Sequence, residues 1–249
     1  MINPKEIKTN SCTELLKVLA GIAMLADHFG KMFFPKLIWL RYIGRLSFPL
    51  FAYCIALGAV YTKDPLKYLS RIVLLALISQ PLYALGLAHE QDVMYKVPFL
   101  QNPLQSIYYF YIGSWQKPSI LLSLCLGLCI LLMIRKKQFI LAIGCYILCE
   151  RFAASLDYGI NGIRFMLICY LFLEHPYLFL LSTVGFWLFW AFQGNDLTLW
   201  GRRIGMRIFA LPSLFFAAFP LQSRYRLPKW LSYGFYPGHL AILAILTHL

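Results

Sequence analysis

Charged residues are scarce. Asp, Glu, Lys and Arg make up 13% of the 249 residues, and only ten are acidic. A soluble domain carries about 25% charged residues, so a water-soluble globule is excluded, and with it disorder and a coiled coil. The seven cysteines (Cys12, Cys54, Cys125, Cys129, Cys145, Cys149, Cys169) include no CxxC, and none has zinc-ligand spacing with a histidine. This excludes a zinc finger and a secreted disulfide scaffold, and no metal is expected. Cys125/Cys129 and Cys145/Cys149 stand four apart inside apolar runs and read as small buried hydrophobes. The chain also lacks a P-loop lysine, a GxSxG elbow, an HExxH pair and the paired carboxylates of a glycosidase. No internal repeat is evident, which weakens an inverted-repeat transporter.

What fills the space is apolar. The hydrophobic share is 60%, aromatics reach 17%, and the mean hydropathy is +0.67. Glycine and proline, 16 and 13 of them, are breakers that membrane helices tolerate. Apolar runs fall at 14–34, 37–61, 68–88, 118–134, 138–155, 159–174, 176–193, 203–221 and 229–248. At about 20 residues per span, they predict an all-α, polytopic integral membrane bundle. It has about nine transmembrane helices, with eight to ten allowed, in a single domain over 1–249. The stretch 89–117, rich in Tyr, Pro and Gln, reads as an interfacial loop or half-helix. The first apolar run ends in ADHFGK without a small-residue cleavage site, so it reads as a retained span.

The net charge of +13 fits membrane topology better than nucleic acid, because the cations lie between apolar runs. With nine spans, Lys5, Lys8, Lys63, Lys67, Arg135, Lys136, Lys137, Arg224, Arg226 and Lys229 fall on the side of the N-terminus. Lys31, Lys36, Lys96, Lys117, Arg202 and Arg203 fall opposite. The bias favours a cytoplasmic N-terminus.

Ionisable groups inside spans are costly and mark candidate sites. In LLKVLAGIAMLADHFGKMFFPKLIWLRYIGRLSFPLFAY, Pro35 marks a turn, His28 lies seven residues before it and Arg41 six after. The two therefore sit at similar depth on antiparallel neighbours, with Arg45 one turn deeper than Arg41. Asp27 can neutralise a guanidinium or orient the imidazole. Such a set can remove a proton beside a stabilised oxyanion, or it can be a salt bridge that only locks the hairpin. In CERFAASLDYGINGIRF, Glu150 and Arg151 read as a solvated turn, whereas Asp157 and Asn161 enter the next apolar run near Gly162 and Arg164. In KWLSYGFYPGHLAILAIL, His239 sits near mid-depth with Tyr236 on its face and Pro237 kinking the helix, either as a site or as a hydrogen-bonded core histidine. Gln80 can bond across helices or simply pack. Arg202, Arg203 and Arg207 can sit at headgroups or hold a ligand's phosphates.

The stretches LLKVLAGIAMLADHFGKMFF, LRYIGRLSFPLFAYCIALG, KYLSRIVLLALISQPLYAL, LDYGINGIRFMLICYLF and WLSYGFYPGHLAILAIL resemble the TraX family of bacterial membrane proteins over about 14–248. The most specific pieces are the Asp27–His28 pair, IGRLSFPLFA and the final FYPGHL. The family is associated with N-acetylation of conjugative pilin subunits and is distantly similar to the acyltransferase-3 group. The resemblance implies a membrane N-acyltransferase of the bacterial inner membrane, with acetyl-CoA as co-substrate and a pilin subunit and membrane lipid as partners. Asp27, His28, Arg45, Pro49, Asp157, Gly162, Tyr236, Pro237 and His239 stand at the family's motif positions. Gln80 stands where an acidic residue is expected, and 89–117 is longer and more aromatic than the usual connection. On this view His28 is the base, Asp27 sets its tautomer, and Arg45 with Arg41 neutralises the oxyanion or a phosphate. His239 and Tyr236 orient the substrates, with Asp157, Asn161, Gln80 and Arg203 as further binding residues. His28 falls toward the outer side, so an acetyl group from the cytoplasm must reach across. The alternatives are other terminal processing of pilin such as peptide-bond closure, acetylation of a glycan or lipid, a transporter, or a non-catalytic pilin-assembly protein.

Overall fold

The computed structural model describes residues 2–87, 102–199, 202–221 and 227–248. Its helices are α1 (Thr13–Phe33), α2 (Ile38–Gly44), α3 (Ser47–Tyr61), α4 (Pro65–Gly86), α5 (Pro103–Ser114) and α6 (Ile120–Arg135). They continue with α7 (Phe139–Arg151), α8 (Gly159–Leu171), α9 (Pro176–Phe192), α10 (Leu211–Ala218) and α11 (Lys229–His248). The sheet among the described residues is one antiparallel hairpin, β1 (Leu197–Leu199) on β2 (Arg202–Ile204), with Thr198 opposite Arg203. The all-α class expected from the apolar runs is therefore what is found.

Helix boundaries follow local chemistry. Asp64 caps α4 by accepting from the Lys67 amide at 3.0 Å, and Asn102 caps α5 by accepting from the Gln105 amide at 3.2 Å. In each case a proline follows in the first turn, where its missing N–H costs nothing. Pro49 cannot donate to the Arg45 carbonyl and its ring crowds it, so the helix breaks at Arg45–Leu46 and α2 gives way to α3. Lys137, at φ 59°, reverses the chain between α6 and α7.

α3 is the central helix. Twelve of its fifteen residues are buried, so it is wrapped on all sides by α1, α6, α8 and α10. The N-terminal tail is stitched beneath it. Tyr53 donates to the Asn10 carbonyl at 2.7 Å, and Thr9 and Asn10 donate to the carbonyls of Leu173 and Phe216. Arg135 closes the far end of α3, giving Nη1 to the carbonyls of Ala59 and Thr62 at 2.7 and 2.8 Å. α11 lies along α4, where the Leu240 carbonyl comes so near Gly86 that a Cβ would stand 2.7 Å from it.

The outer faces are apolar. On α7 Ile140 is 87% exposed, with Ile143, Ile147 and Leu148 beside it, and Leu181, Phe189, Ile242 and Ile245 do the same on α9 and α11. Two helical stretches among the described residues are long and apolar enough to cross a membrane, Ile38–Tyr61 and Pro65–Gly86. Ile120–Arg135, Gly159–Leu171 and Pro176–Phe192 are apolar but shorter. Eight of the nine apolar runs thus correspond to helices, with 37–61 broken into α2 and α3, whereas a nine-span bundle is not established.

One expectation changes. The run 203–221 is not one helix. It begins in the β-hairpin, passes through a 3₁₀ turn (Met206–Ala210) and ends in the eight-residue α10. Asp196 accepts from the Met206 amide at 3.0 Å and holds the turn, and Pro212 can sit only in a helix's first turn. Of the stretch 89–117, expected as an interfacial loop or half-helix, residues 103–114 form the helix α5, and residues 88–101 lie outside the described residues.

Candidate functional site

α1 and α2 pack as a hairpin, and Gly44 makes the closest approach possible. A Cβ there would stand 2.2 Å from the Asp27 Cβ. With no side chain at Gly44, the Asp27 carboxylate reaches both arginines of α2 and its C-cap. Arg41 Nε donates to Asp27 Oδ1 at 2.8 Å and Arg45 Nη2 to the same oxygen at 3.1 Å. Arg45 Nε also donates to the Arg41 carbonyl at 3.3 Å. All three side chains are largely shielded, with Asp27 18% and Arg45 19% exposed, which strengthens charge-assisted bonds.

His28 points elsewhere. Its Nδ1 lies 2.9 Å from Nε2 of His239 on α11, and the rings stack at 5.1 Å and 17°. His239 Nδ1 lies 2.9 Å from the Phe235 carbonyl oxygen. A carbonyl only accepts, so His239 Nδ1 carries the proton and Nε2 is an acceptor. The Nδ1 of a neutral His28 must then donate, and the lone pair of His28 is on Nε2. The relay from the Phe235 carbonyl through His239 fixes the tautomer that the sequence reading ascribed to Asp27. Adjacent helix residues do not face one another, so Asp27 serves the guanidinium groups while His28 serves α11. His239 is 5% exposed and acts from behind His28. It is a positioning residue.

His28, Asp27, Arg41 and Arg45 border a hollow of about 1120 Å³, just above the usual range of small-molecule sites. Asp157 and Asn161 also line it, brought there by the turn before α8, where Gly159 takes φ +55°. Asn161 Oδ1 accepts from Arg164 Nη1 at 3.2 Å. Glu150 meets Arg164 at 2.7 Å on the exposed side, consistent with a solvated turn. Tyr236 contributes to the wall, but its hydroxyl oxygen is sealed from solvent and has no hydrogen-bond partner among the described residues. It is a packing element and does not present a donor to the hollow.

Besides His239, two more expected residues fall outside the lining of the hollow. Gln80 is fully buried and ties the α5–α6 connection together. Its Nε2 donates to the carbonyls of Ser114 and Lys117 at 2.6 and 3.1 Å, and its Oε1 accepts from the Ser119 amide at 2.9 Å. An amide both donates and accepts, so a carboxylate could not make this set. Arg203 is exposed on β2 and does not border the hollow. Arg207 does border it, with its guanidinium 5.0 Å above the Trp190 ring.

Sequence reasoning missed Tyr158 and Trp190. Tyr158 stacks on Phe48 at 4.0 Å and meets Trp190 edge-on at 5.9 Å, and both line the hollow beside Arg207. The LDYGINGIRF motif contains Tyr158 and was the available signal. Trp190 sits in a wholly apolar run and gave none. All seven cysteines are free thiols.

Comparison with known proteins gives a consistent placement. A segment of 80 residues is 36% identical to the probable fimbrial assembly protein FimC, serogroup H1, of Dichelobacter nodosus, covering 30% of this chain and 33% of that protein. A segment of 101 residues is 36% identical to the uncharacterized protein RP591 of Rickettsia prowazekii (strain Madrid E), covering 41% of this chain and 35% of that one. The match thus spans about a third of each relative's length. No solved structure matches the chain. The family model described as TraX protein matches residues 12–247, from the start of α1 to the end of α11, and the chain belongs to the TraX family.

Proposed function

We propose that this chain is a multi-pass protein of the bacterial inner membrane that acylates the N-terminal amine of a pilin subunit, with acetyl-CoA as donor. The single observation that carries the reading is His28, whose Nε2 lone pair is fixed by His239 at the edge of a hollow that also holds Arg41 and Arg45. The fimbrial name of one relative supports a pilin as acceptor. Apolar outer faces around a hollow lined with charge support a bilayer as the surroundings.

The chemistry follows from the groups present. An α-amine has a pKa near 7.7–8 and is largely protonated at neutral pH. The ammonium sheds one proton to water, and His28 Nε2 takes the second, which the nitrogen loses as the C–N bond forms. The nitrogen adds to the thioester carbonyl, giving a tetrahedral oxyanion that Arg45 or Arg41 neutralises with guanidinium nitrogens not used on Asp27. Collapse breaks the C–S bond, the amide forms, and the thiolate leaves and takes the proton from His28. His239 spreads and orients the transient imidazolium, as a second group does for other paired bases.

The test is mass spectrometry of a pilin co-expressed with this chain. The expected result is one added acetyl, about 42 Da, on the pilin N-terminus, lost with His28→Ala at unchanged membrane content of the protein. An unmodified pilin beside the wild-type chain, or full acetylation by His28→Ala, overturns the reading.

A further inference from the structure

The hollow is elongated, and three helices agree on its length. On α1 it is bordered by Glu14, Lys17, Met24, Asp27, His28 and Lys31, a stripe from the first turn to the last. On α3 the stripe runs from Ser47 through Phe51, Cys54 and Gly58 to Tyr61, again end to end. On α4 it runs from Tyr68 and Arg71 through Leu75 to Tyr83. The steps of three and four residues on α3, with single steps of seven on α1 and eight on α4, are those of one helix face. From Glu14 to Lys31 the α1 stripe covers about 26 Å at 1.5 Å per residue, close to the roughly 30 Å of a bilayer's hydrocarbon core.

The two ends differ in chemistry from the middle. One end carries His28 and the arginines. The other carries Lys17, Arg71, Tyr61 and Tyr68, with Glu14 Oε1 accepting from Lys17 at 3.2 Å. Between them the wall is Met24, Phe51, Cys54, Ile55, Ile72 and Leu75. On α11 the wall adds Ser232, Tyr233 and Tyr236, but the charged side chains that border the hollow among the described residues gather at its two ends, whereas a proton or ion path needs polar groups along its length. An apolar bore with a basic mouth suits a ligand with an uncharged chain and an anionic head.

We propose that the hollow is a through-passage that takes an extended amphiphile end-on, with its phosphate head at the Lys17–Arg71 mouth and its uncharged chain reaching the His28 end. The phosphate belongs either to a thioester cofactor or to a phospholipid headgroup. The cofactor arm rests on the acyl-transfer reading, and it would let a donor on the N-terminal side serve a base at the opposite end.

Cys54 lines the hollow across from the first turn of α1, where its Sγ donates to the Thr13 carbonyl, and reports on occupancy near the Lys17–Arg71 mouth without requiring turnover. The full chain in phosphatidylcholine nanodiscs is treated with a small methanethiosulfonate reagent, and modification of Cys54 is followed by peptide mass spectrometry. Free coenzyme A is expected to slow modification about tenfold at saturation, Lys17→Ala with Arg71→Ala to abolish that protection, and His28→Ala to retain it. Folding of each variant is checked by its melting temperature. Protection that appears only in phosphatidylglycerol nanodiscs, with coenzyme A inert, upholds the passage with a lipid as its occupant. A Cys54 that never reacts, or that reacts equally under every condition, overturns the proposal. Protection by coenzyme A together with an unmodified pilin leaves the passage standing and sinks only the acyl-transfer reading.

Discussion

His28 Nδ1 and His239 Nε2 stand 2.9 Å apart, although 211 residues separate them in the chain. The contact joins the end of α1 to the middle of α11 and gives each imidazole a defined tautomer. It also divides labour between sequence neighbours, since Asp27, one residue from His28, is committed to Arg41 and Arg45.

That division predicts different outcomes at the two histidines. On the proposed acyl-transfer reading His28→Ala removes the base, and pilin acetylation is expected to fall to background. His239→Phe keeps the base but frees its tautomer, so kcat is expected to drop about 10²–10⁴-fold with the donor KM changed little. The pH profile separates positioning from bulk damage. Loss of the relay moves the acidic limb of the profile, where His28 gains its proton, whereas a merely unstable protein keeps the limb and loses amplitude. An unchanged rate in His239→Phe removes the relay from the mechanism.

Gly44 and Gly144 form a matched pair for testing the arginine–aspartate cluster. Both lie in helices. A Cβ at Gly44 would collide with Asp27, and one at Gly144 meets nothing within 4 Å. Gly144→Ala is expected to stabilise the protein by about 0.5–1 kcal/mol through helix propensity. Gly44→Ala is expected to destabilise it by about 1–3 kcal/mol, the cost of overpacking, and to splay the carboxylate away from the arginines. Melting of the two variants in one detergent decides. Equal melting temperatures dismiss the packing account.

Asp27→Asn leaves the volume and removes the charge. Two guanidinium groups, less than one third exposed, then lose their counter-ion. Removing one partner of a buried pair costs about 3–5 kcal/mol, and partial exposure places the expectation at the low end. Acetylation should survive in the protein that stays folded, because His28 is oriented by His239. A folded Asp27→Asn with the kinetic defect of His239→Phe would return the orienting role to the carboxylate.

The run boundaries were legible in the sequence because apolar runs interrupted by Pro, Gly and charge fix helix ends locally. Placing His28, Arg41 and Arg45 in one region was legible too, since counting from Pro35 on antiparallel helices requires only a rise per residue. The partner of His28 was not legible. Adjacency suggested Asp27, but successive side chains on a helix diverge, and the true partner depends on how α11 packs against α1. Span length was also overread. The stretch 203–221 is apolar enough for a helix, but Pro212 and the Asp196 cap divide it, a distinction that mean hydropathy does not carry.

Gln80 illustrates the same limit, and it gives a prediction that isolates structure from chemistry. Its place where the family resemblance leads one to expect an acidic residue invited a ligand-binding role, but its amide is spent on Ser114, Lys117 and Ser119. Gln80→Leu keeps the bulk and strands two carbonyls and one amide in a buried site. At about 1–3 kcal/mol for each stranded buried group, and with partial relaxation, the expected loss is about 2–4 kcal/mol. Gln80→Glu fares no better, because a carboxylate cannot donate to the two carbonyls. Both variants should lower the melting temperature while leaving the donor KM of the folded fraction unchanged. A raised donor KM with normal melting would place Gln80 in the hollow.

Arg203 and Arg207 stand four residues apart and read alike in sequence, yet only Arg207 borders the hollow, where it lies over Trp190. Arg203→Ala, on an exposed hairpin, is expected to change stability by no more than about 0.5 kcal/mol and activity not at all. Arg207→Ala removes a cation from the same end of the hollow as Arg41 and Arg45, together with a cation–π contact worth about 0.5–2 kcal/mol. Its acetylation rate is expected to fall, and Arg207→Lys should recover only part of it, since an ammonium neither stacks on the indole as a plane nor offers a fork to an oxyanion. If Arg203→Ala carries the larger defect, anion recognition belongs to the hairpin and the hollow's arginine end is structural.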